Sequence, residues 1–87
     1  MPLNFPNQSR CYDAKRHLVH FWGYDSALEI SFFVDVGILC KFNPQIEYGE
    51  AGYLEAFDAV RDQVHDAARK AYSRSRRDVF LLEAADF

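Results

Sequence analysis

The sequence lacks the features that would tie it to a membrane, a disulfide framework or a polyanion. It contains no apolar run near the length of about 20 residues that crosses a bilayer. Its two cysteines, Cys11 and Cys40, can form at most one disulfide, and we interpret them as free thiols. The formal net charge of −3 gives no overall attraction to phosphate backbones. We therefore expect a cytoplasmic protein without membrane contacts, and the charge argues against nucleic acid as a partner.

Motifs of common enzyme and metal sites are also missing. The sequence has no GxSxG nucleophile elbow, no P-loop, no GxGxxG turn, and no CxxC or HxxxH pair for zinc. His17 and His20 lie three positions apart in a predicted strand, so their side chains point to opposite faces and cannot chelate one ion. The sequence therefore predicts no catalytic residue, no metal site and no cofactor.

Apolar and aromatic side chains, by contrast, are plentiful for a chain of this size. Hydrophobic residues make up 49% and aromatic residues 16% of the 87 residues. A domain of that length buries roughly two thirds of the surface that its unfolded chain exposes. No repeat, low-complexity tract or linker divides the sequence, so we expect a single α+β domain over residues 1–87.

The clearest periodic pattern predicts one long helix over residues 51–73. At about 100° per residue, its apolar side chains fall within one arc of about 100°. That buried stripe consists of Tyr53, Phe57, Val60, Val64, Ala67, Ala68 and Ala71. The opposite side carries a row of solvated acids, Asp58, Asp62 and Asp66. A shorter helix is predicted over residues 36–42, with Asp35 as its N-cap.

Four strands are predicted from the remaining apolar runs. They cover residues 9–12, 17–22, 27–34 and 79–82, with a turn at 23–26. The first three form an antiparallel meander, and the fourth runs parallel to the first and third. Because residues 79–82 are apolar on both faces, we place them inside the sheet or under a covering element. The fold is thus two layers, with both helices packed on the sheet.

Strand alternation divides the sheet into an inner and an outer face. In the third strand Leu28, Ile30, Phe32 and Val34 form an apolar row that should lie under the long helix. Register then places Val19 and Phe21 beside that row. The outer face receives Leu18, His20, Trp22, Glu29, Ser31 and Phe33. The N-terminal residues 1–7 should run extended, without regular structure, and bring Leu3 and Phe5 to the core.

Arg61 and His65 are the least routine polar residues of the long helix, because they lie one turn apart at the margin of its buried stripe. Two interpretations remain open for them. Arg61 can stretch along the sheet edge and pair with a carboxylate. Alternatively, the two side chains form a clamp for an anion or a carboxylate, which suits the planar guanidinium.

Five basic residues lie close together at the end of the helix. They are Arg69, Lys70, Arg74, Arg76 and Arg77. Cations at a helix C-terminus complement the helix dipole, and a solvated loop is their usual setting. The alternative is a site for phosphate or nucleic acid.

Several segments together resemble a bacterial family of small proteins catalogued as domain of unknown function 1488. They are FPN at 5–7, Tyr12-Asp13, FWGYDSALEISFFV at 21–34, FDAVRDQVHDAARKAY at 57–72 and Asp86-Phe87. The resemblance covers nearly the whole chain. It implies a two-layer α+β fold in a bacterial cytosol, and it implies no reaction, cofactor or partner.

Two functional hypotheses follow, ahead of an enzyme. The first is a non-catalytic interaction module that binds protein through the outer sheet face, at Trp22, His20 and Phe33, or through a strand edge. A weak homodimer would be one form of this binding. The alternative is a binder of nucleic acid or a phosphate ligand that uses the basic cluster.

Overall fold

One mixed sheet with three helices on its inner face makes up the part of the chain that the computed structural model describes, residues 3–6, 10–45 and 47–87. The strands are β1 (Leu3–Asn4), β2 (Arg10–Asp13), β3 (Leu18–Asp25), β4 (Leu28–Asp35) and β5 (Val79–Leu82). The helices are α1 (Val36–Phe42), α2 (Glu50–Ala59) and α3 (Arg61–Arg74), and a 3₁₀ turn at Ala84–Asp86 follows β5. Ser9, the predicted start of the first strand, and residues 1, 2 and 7 of the predicted N-terminal segment lie outside the described ranges.

The β3–β4 hairpin is the centre of the sheet. These strands pair antiparallel along their whole length, from Leu18 opposite Asp35 to Asp25 opposite Leu28. β1 and β2 pair antiparallel with the other edge of β3, one after the other along it, and β5 pairs parallel with β4. The predicted α+β class is confirmed, with the meander β2–β3–β4 and a parallel C-terminal strand.

The core lies between the inner sheet face and the helices. Phe21 is central to it, with ring centroids 5.2 Å from Phe57 and 5.3 Å from Phe32. The predicted burial of Phe57, Val60 and Val64 is confirmed, since all three are at most 9% exposed. α1 contributes Leu39 to the same cluster. Its N-cap is Asp35, as predicted, whose carboxylate accepts a hydrogen bond from the Gly37 N–H at 2.6 Å.

The helix predicted over residues 51–73 is divided into α2 and α3 at Val60. The backbone of Val60 has φ −119° and ψ 23°, which is outside the helical range. Its N–H donates to the carbonyl oxygen of Phe57 at 3.1 Å. Buried positions continue at helical spacing across the interruption, because Phe57, Val60 and Val64 all face the core. The apolar period therefore gives no sign of the break.

The turn predicted at 23–26 begins too early, and the predicted lack of regular structure at the N-terminus is wrong. Leu3 and Phe5 do reach the core as predicted. Gly23 lies inside β3, opposite Ile30, and the turn is made further on, where Ser26 has φ 58°. The N-terminal segment, predicted to lack regular structure, forms β1 against this part of β3. A Cβ at position 23 would lie 2.9 Å from both the Asn4 carbonyl oxygen and the Phe5 ring. Glycine is needed here for close approach of the two strands.

Two further corrections concern apolar residues that were placed inside. Leu28 belongs to the predicted inner row but is 54% exposed, because it lies at the tip of the hairpin. β5 was predicted to be interior or covered, yet it is an edge strand. Its Phe80 and Leu82 face the core, whereas Val79 and Leu81 are 54% and 58% exposed on the other side.

Candidate functional site

The candidate site is the sheet surface that faces away from the helices. Residues opposite one another in a ladder share a face, so the register fixes which side chains lie together. The central row runs from Cys11 through His20 and Phe33 to Leu81. We call this surface the outer face and define it by Cys11, Asp13, Leu18, His20, Trp22, Tyr24, Glu29, Ser31, Phe33, Asp35, Val79 and Leu81.

His20 is at the centre of the outer face, between two aromatic rings. Its ring is stacked on Phe33 at a centroid distance of 4.4 Å and lies 4.9 Å from Trp22. Cys11 is the neighbour on β2, with its sulfur 3.9 Å from the His20 Nδ1. Within the described residues, the buried His20 Nε2 has no hydrogen-bond partner. Burial lowers the pKa of His20 and so favours the neutral ring, although the nearby acids Glu29 and Asp13 oppose this effect.

The outer face is open over much of its apolar area. Val79 and Leu81 are more than half exposed, and Leu18, Trp22 and Phe33 are half-buried. Apart from Tyr53, the buried side chains of the three helices belong to the core cluster on the inner side. The outer face therefore presents contiguous apolar and aromatic surface to solvent, as interaction surfaces do.

Charge on the outer face is of one sign. Acidic side chains lie at two ends of it, with Asp13 and Asp35 flanking Leu18 and with Glu29 opposite Tyr24. None of the residues that define the outer face is a lysine or an arginine. The surface thus has an apolar centre and an acidic rim, which repels phosphate and attracts basic groups.

The sequence placed Trp22, His20 and Phe33 together, and the structure does bring them together. It adds six residues that were not predicted for this surface: Cys11, Asp13, Tyr24, Asp35, Val79 and Leu81. A signal existed for the last two. They alternate with Phe80 and Leu82, which is the period of a strand with one face in the core.

Arg61 pairs with a carboxylate, which was one of the two interpretations left open. Asp58 accepts hydrogen bonds from Arg61 on its own helix layer and from Arg10 on β2, the latter at 3.0 and 2.8 Å. Partial burial raises the pKa of Asp58, but the hydrogen bonds from Arg10 and Arg61 outweigh it and hold that pKa below its usual value. Asp58 was predicted to be one of a row of solvated acids; its side chain is 41% exposed, and it also fastens the helix layer to the sheet edge.

His65 packs on an aromatic ring. It stacks on Phe5 at 3.9 Å with an interplanar angle of 4°, while the Arg69 guanidinium lies 5.2 Å from the same ring. Burial, and then the charges of Arg61 and Arg69, lower the pKa of His65 to about 4. The ring is therefore neutral and contributes packing at pH 7, where it offers no charge to an anion.

Lowering the pH from 7.5 to 5.0 should reduce the free energy of unfolding by about 1 kcal/mol through His65. A histidine in the unfolded chain has a pKa near 6.5, and His65 in the folded protein has a pKa of about 4. The unfolded chain therefore takes up the proton first, and stability that is full above pH 6.5 is lost as the pH falls toward 4. Because the ring is only half-buried, solvent screening reduces the loss of unfolding free energy that the two pKa values imply to roughly half.

Urea unfolding of the wild type and of His65→Phe at both pH values measures this contribution. The variant keeps an aromatic ring on Phe5 and cannot titrate. Its stability should change less between the two pH values than that of the wild type, while His20 titrates equally in both proteins. Identical pH dependence in the two proteins would contradict the buried, neutral state of His65.

The predicted basic cluster is divided among acidic partners. Arg69 pairs with Asp66 at 3.3 Å, Arg76 pairs with Asp25 at 3.7 Å, and Arg74 pairs with Asp86. Asp25 also accepts a hydrogen bond from the Tyr72 hydroxyl at 2.6 Å, so it connects α3 to the end of β3. Lys70 and Arg77 have no ion pair within the described residues.

Arg77 points along a groove beside β5. Its guanidinium lies over the Phe80 ring at 5.1 Å. The groove has a volume of about 380 Å³ and is lined by basic and acidic side chains, including Arg74 and Glu83. It does not present a purely positive surface.

The described ranges contain neither a candidate metal centre nor a membrane-spanning helix. No group of three or more His, Cys, Asp or Glu residues there could hold a metal ion. No helix in the same ranges is both long and apolar enough to cross a bilayer.

Comparison with known proteins gives a family and a fold. The family model "Protein of unknown function (DUF1488)" matches residues 3–81. A crystal structure of a DUF1488-family protein of unknown function from Shewanella loihica PV-4 superimposes with a TM-score of 0.82 at 15% sequence identity. That match covers 94% of this chain and 92% of the other, and at this identity it shows a shared fold. No curated protein matches the sequence. The chain therefore belongs to the DUF1488 family of proteins of unknown function.

Proposed function

We propose that the protein is a cytoplasmic, non-catalytic module that binds another protein through the outer face. The observation that carries this proposal is the open row of apolar and aromatic side chains around His20. No described helix packs on this row. The acidic rim of Asp13, Glu29 and Asp35 indicates which surface charges the partner protein should have. The partner protein should present an apolar patch with lysine or arginine at its border.

Aromatic side chains are the residues that most often dominate binding energy at protein interfaces. Trp22 and Phe33 hold such positions here, and the stacked His20 ring between them fixes their orientation. A flat sheet face with these anchors suits a protein surface better than a small molecule, which is usually bound in a concave pocket. The acidic rim argues against a nucleic acid on the same face.

Nucleic-acid binding through the basic cluster has less support from the geometry. Three of the five cations, Arg69, Arg74 and Arg76, lie in ion pairs with acids, so their charge is partly neutralised locally. We expect no salt-dependent association with duplex DNA or single-stranded RNA at about 10 µM protein. Fluorescence anisotropy at several salt concentrations measures this.

The matched variant replaces Arg74, Arg76 and Arg77 by Ser. If the wild type bound nucleic acid and this triple replacement flattened the dependence of affinity on salt, the basic cluster would be the site. That outcome would reverse the order of the two hypotheses.

Site-specific photo-cross-linking in bacterial cells that carry this chain tests the proposed site. A photoreactive phenylalanine analogue is placed at Phe33 or Leu18 on the outer face, or at Glu55 or Asp62 on the helix layer. We expect a discrete adduct from the outer-face positions alone. The adduct should weaken when Glu29→Lys is added, because the rim charge is then reversed, and it should persist with the control Glu55→Lys.

Adducts that form equally from both layers would contradict the proposal. So would an outer-face adduct that is indifferent to Glu29→Lys, because the partner would then not read the acidic rim. An adduct of twice the chain mass would identify a second copy as the occupant of the outer face, which was the weak homodimer foreseen from the sequence.

A further inference from the structure

β5 leaves a line of backbone hydrogen-bonding groups without a neighbouring strand. The Ser31 N–H donates to the Asp78 carbonyl oxygen at 2.8 Å, and the register pairs Ser31 with Val79 and Phe33 with Leu81. In a parallel ladder of this register, the N–H and C=O groups of positions 79 and 81 point away from β4. In the described part of the chain, the hydrogen bonds outside helices and strands do not involve them.

The two edges of the sheet differ in how they are protected. Along the far edge, β2 carries the charged residues Arg10 and Asp13, and β1 has two residues. Short strands and charges of this kind discourage pairing with another chain. β5, with the sequence VFLL, has no charge, no proline and no bulge, and half of its side chains are exposed and apolar. It has the properties of an edge that pairs with another strand.

We propose that β5 pairs antiparallel with β5 of a second copy of the chain, about a two-fold axis at Phe80. This register places Val79 opposite Leu81 of the second copy, and the reverse. Both pairs then exchange two backbone hydrogen bonds, so the outward groups of positions 79 and 81 are satisfied in both copies. The exposed Val79 and Leu81 side chains cover each other across the axis.

Charge complementarity supports the second copy as the occupant of this edge. With Phe80 on the axis, position 77 comes opposite position 83 of the other copy. Arg77 has no ion pair among the described residues. It precedes the bend at Asp78 with its guanidinium over the Phe80 ring, and its long side chain can turn from there to Glu83 of the second copy, once at each end of the pairing. Glu83 is extended at φ −114° and ψ 167°, so the strand direction continues to this residue, and both side chains line the groove beside β5. The Glu83 carboxylate accepts a hydrogen bond from the Asp86 N–H in a capping box, and its remaining lone pairs can accept from Arg77.

The pairing uses the sheet edge with Val79 and Leu81 and leaves the centre of the outer face, at Trp22, His20 and Phe33, uncovered. A two-fold axis perpendicular to the sheet keeps both outer faces on the same side, so they join into one continuous surface. The dimer would thus offer its protein partner twice the area. Because the contact is confined to one short strand per copy, we expect it to be weak, with a dissociation constant on the order of 100 µM.

Sedimentation velocity of the full chain at about 20 to 500 µM and about 0.15 M salt measures the association. The charge variants are Arg77→Glu, Glu83→Lys and the two combined. Each single reversal places like charges opposite one another at both ends and should weaken the dimer about tenfold. The combined variant restores opposite charges and should return to within about threefold of the wild type. Lys15→Glu and Glu55→Lys make the same charge changes elsewhere and should have no effect.

Three results with the wild type and the charge variants would overturn the edge pairing, and a fourth comes from an outer-face variant. The first three are a wild type that stays monomeric at the highest concentration, single reversals that leave the association unchanged, and a combined variant as weak as either single one. The outer-face variant Trp22→Ser, Phe33→Ser separates the two proposals, because it should dimerise normally. If it were monomeric instead, the association would use the outer face. The edge pairing can fail in any of these ways without affecting cross-linking from Phe33.

Discussion

Replacing Phe57 by alanine should reduce the free energy of unfolding by about 3 to 5 kcal/mol. Phe57 is fully buried, and its ring lies 5.2 Å from that of Phe21, so the change opens a cavity between the helix layer and the sheet. Phe57 immediately precedes Asp58, whose carboxylate accepts hydrogen bonds from Arg10 and Arg61. Loss of the ring therefore weakens the place where α2 is fastened to β2 and β3. Such a loss is a large part of a small domain's stability.

Urea unfolding followed by circular dichroism measures this effect. Phe42→Ala is the matched control, since Phe42 is 42% exposed, and it should cost about 1 kcal/mol or less. A loss below about 1 kcal/mol for Phe57→Ala would mean that the wrong side of α2 has been assigned to the core.

Replacing Trp22 and Phe33 together by serine should weaken binding of the protein partner at least about a hundredfold. Both rings are at the centre of the outer face, and each is held by His20. Large aromatic anchors commonly contribute about 2 kcal/mol or more each at an interface. Because both side chains are only half-buried and lie outside the core cluster, the change should affect folding far less than Phe57→Ala does.

Calorimetric titration with the partner identified by cross-linking gives the two affinities. Tyr48→Ser removes an aromatic side chain that is 87% exposed and lies off the outer face, and it should bind as the wild type does. Thermal unfolding of the double variant shows that it remains folded. Unchanged affinity in a folded double variant would exclude Trp22 and Phe33 from the interface.

Much of the fold was readable from periodicity because strand and helix periods are local properties. Alternation assigned Val19, Phe21, Ile30 and Phe32 to the inner face, and a pattern of three and four assigned Phe57 and its neighbours to the helix stripe. The N-cap at Asp35 followed from local hydrogen bonding in the same way. These features depend on residues close together in the sequence.

The errors arose where distant segments meet. Gly23 begins a segment, residues 23–26, whose residue types favour a turn. Only the approach of β1, which lies nineteen or more residues earlier in the chain, explains why Gly23 lies in a strand. The break at Val60 keeps the apolar period unchanged, so no local signal reveals it. The position of β5 at the edge depends on strand order, which a run of four apolar residues does not encode.

The candidate site was predictable in part for the same reason. The alternation within β3 and β4 brought Trp22, His20 and Phe33 to one face. The role of His65 could not be decided, because its partner Phe5 comes from the far end of the chain. Arg61 has a local partner in Asp58, but Arg10, which shares that carboxylate, also comes from the far end. Pairing of the basic cluster with Asp25 and Asp86 likewise required the folded arrangement.

Trp22 is the single tryptophan of the chain, so a fluorine label on it reports on the outer face alone. The most direct test of the central claim is the ¹⁹F resonance of 5-fluorotryptophan at this position, recorded in H₂O and in D₂O, before and after addition of the unlabelled partner. We predict a solvent isotope shift in the free protein, because the face is open, and its loss together with a change in chemical shift at saturation. A resonance without an isotope shift in the free protein, or one that the bound partner leaves unchanged, would contradict the outer face as the binding surface.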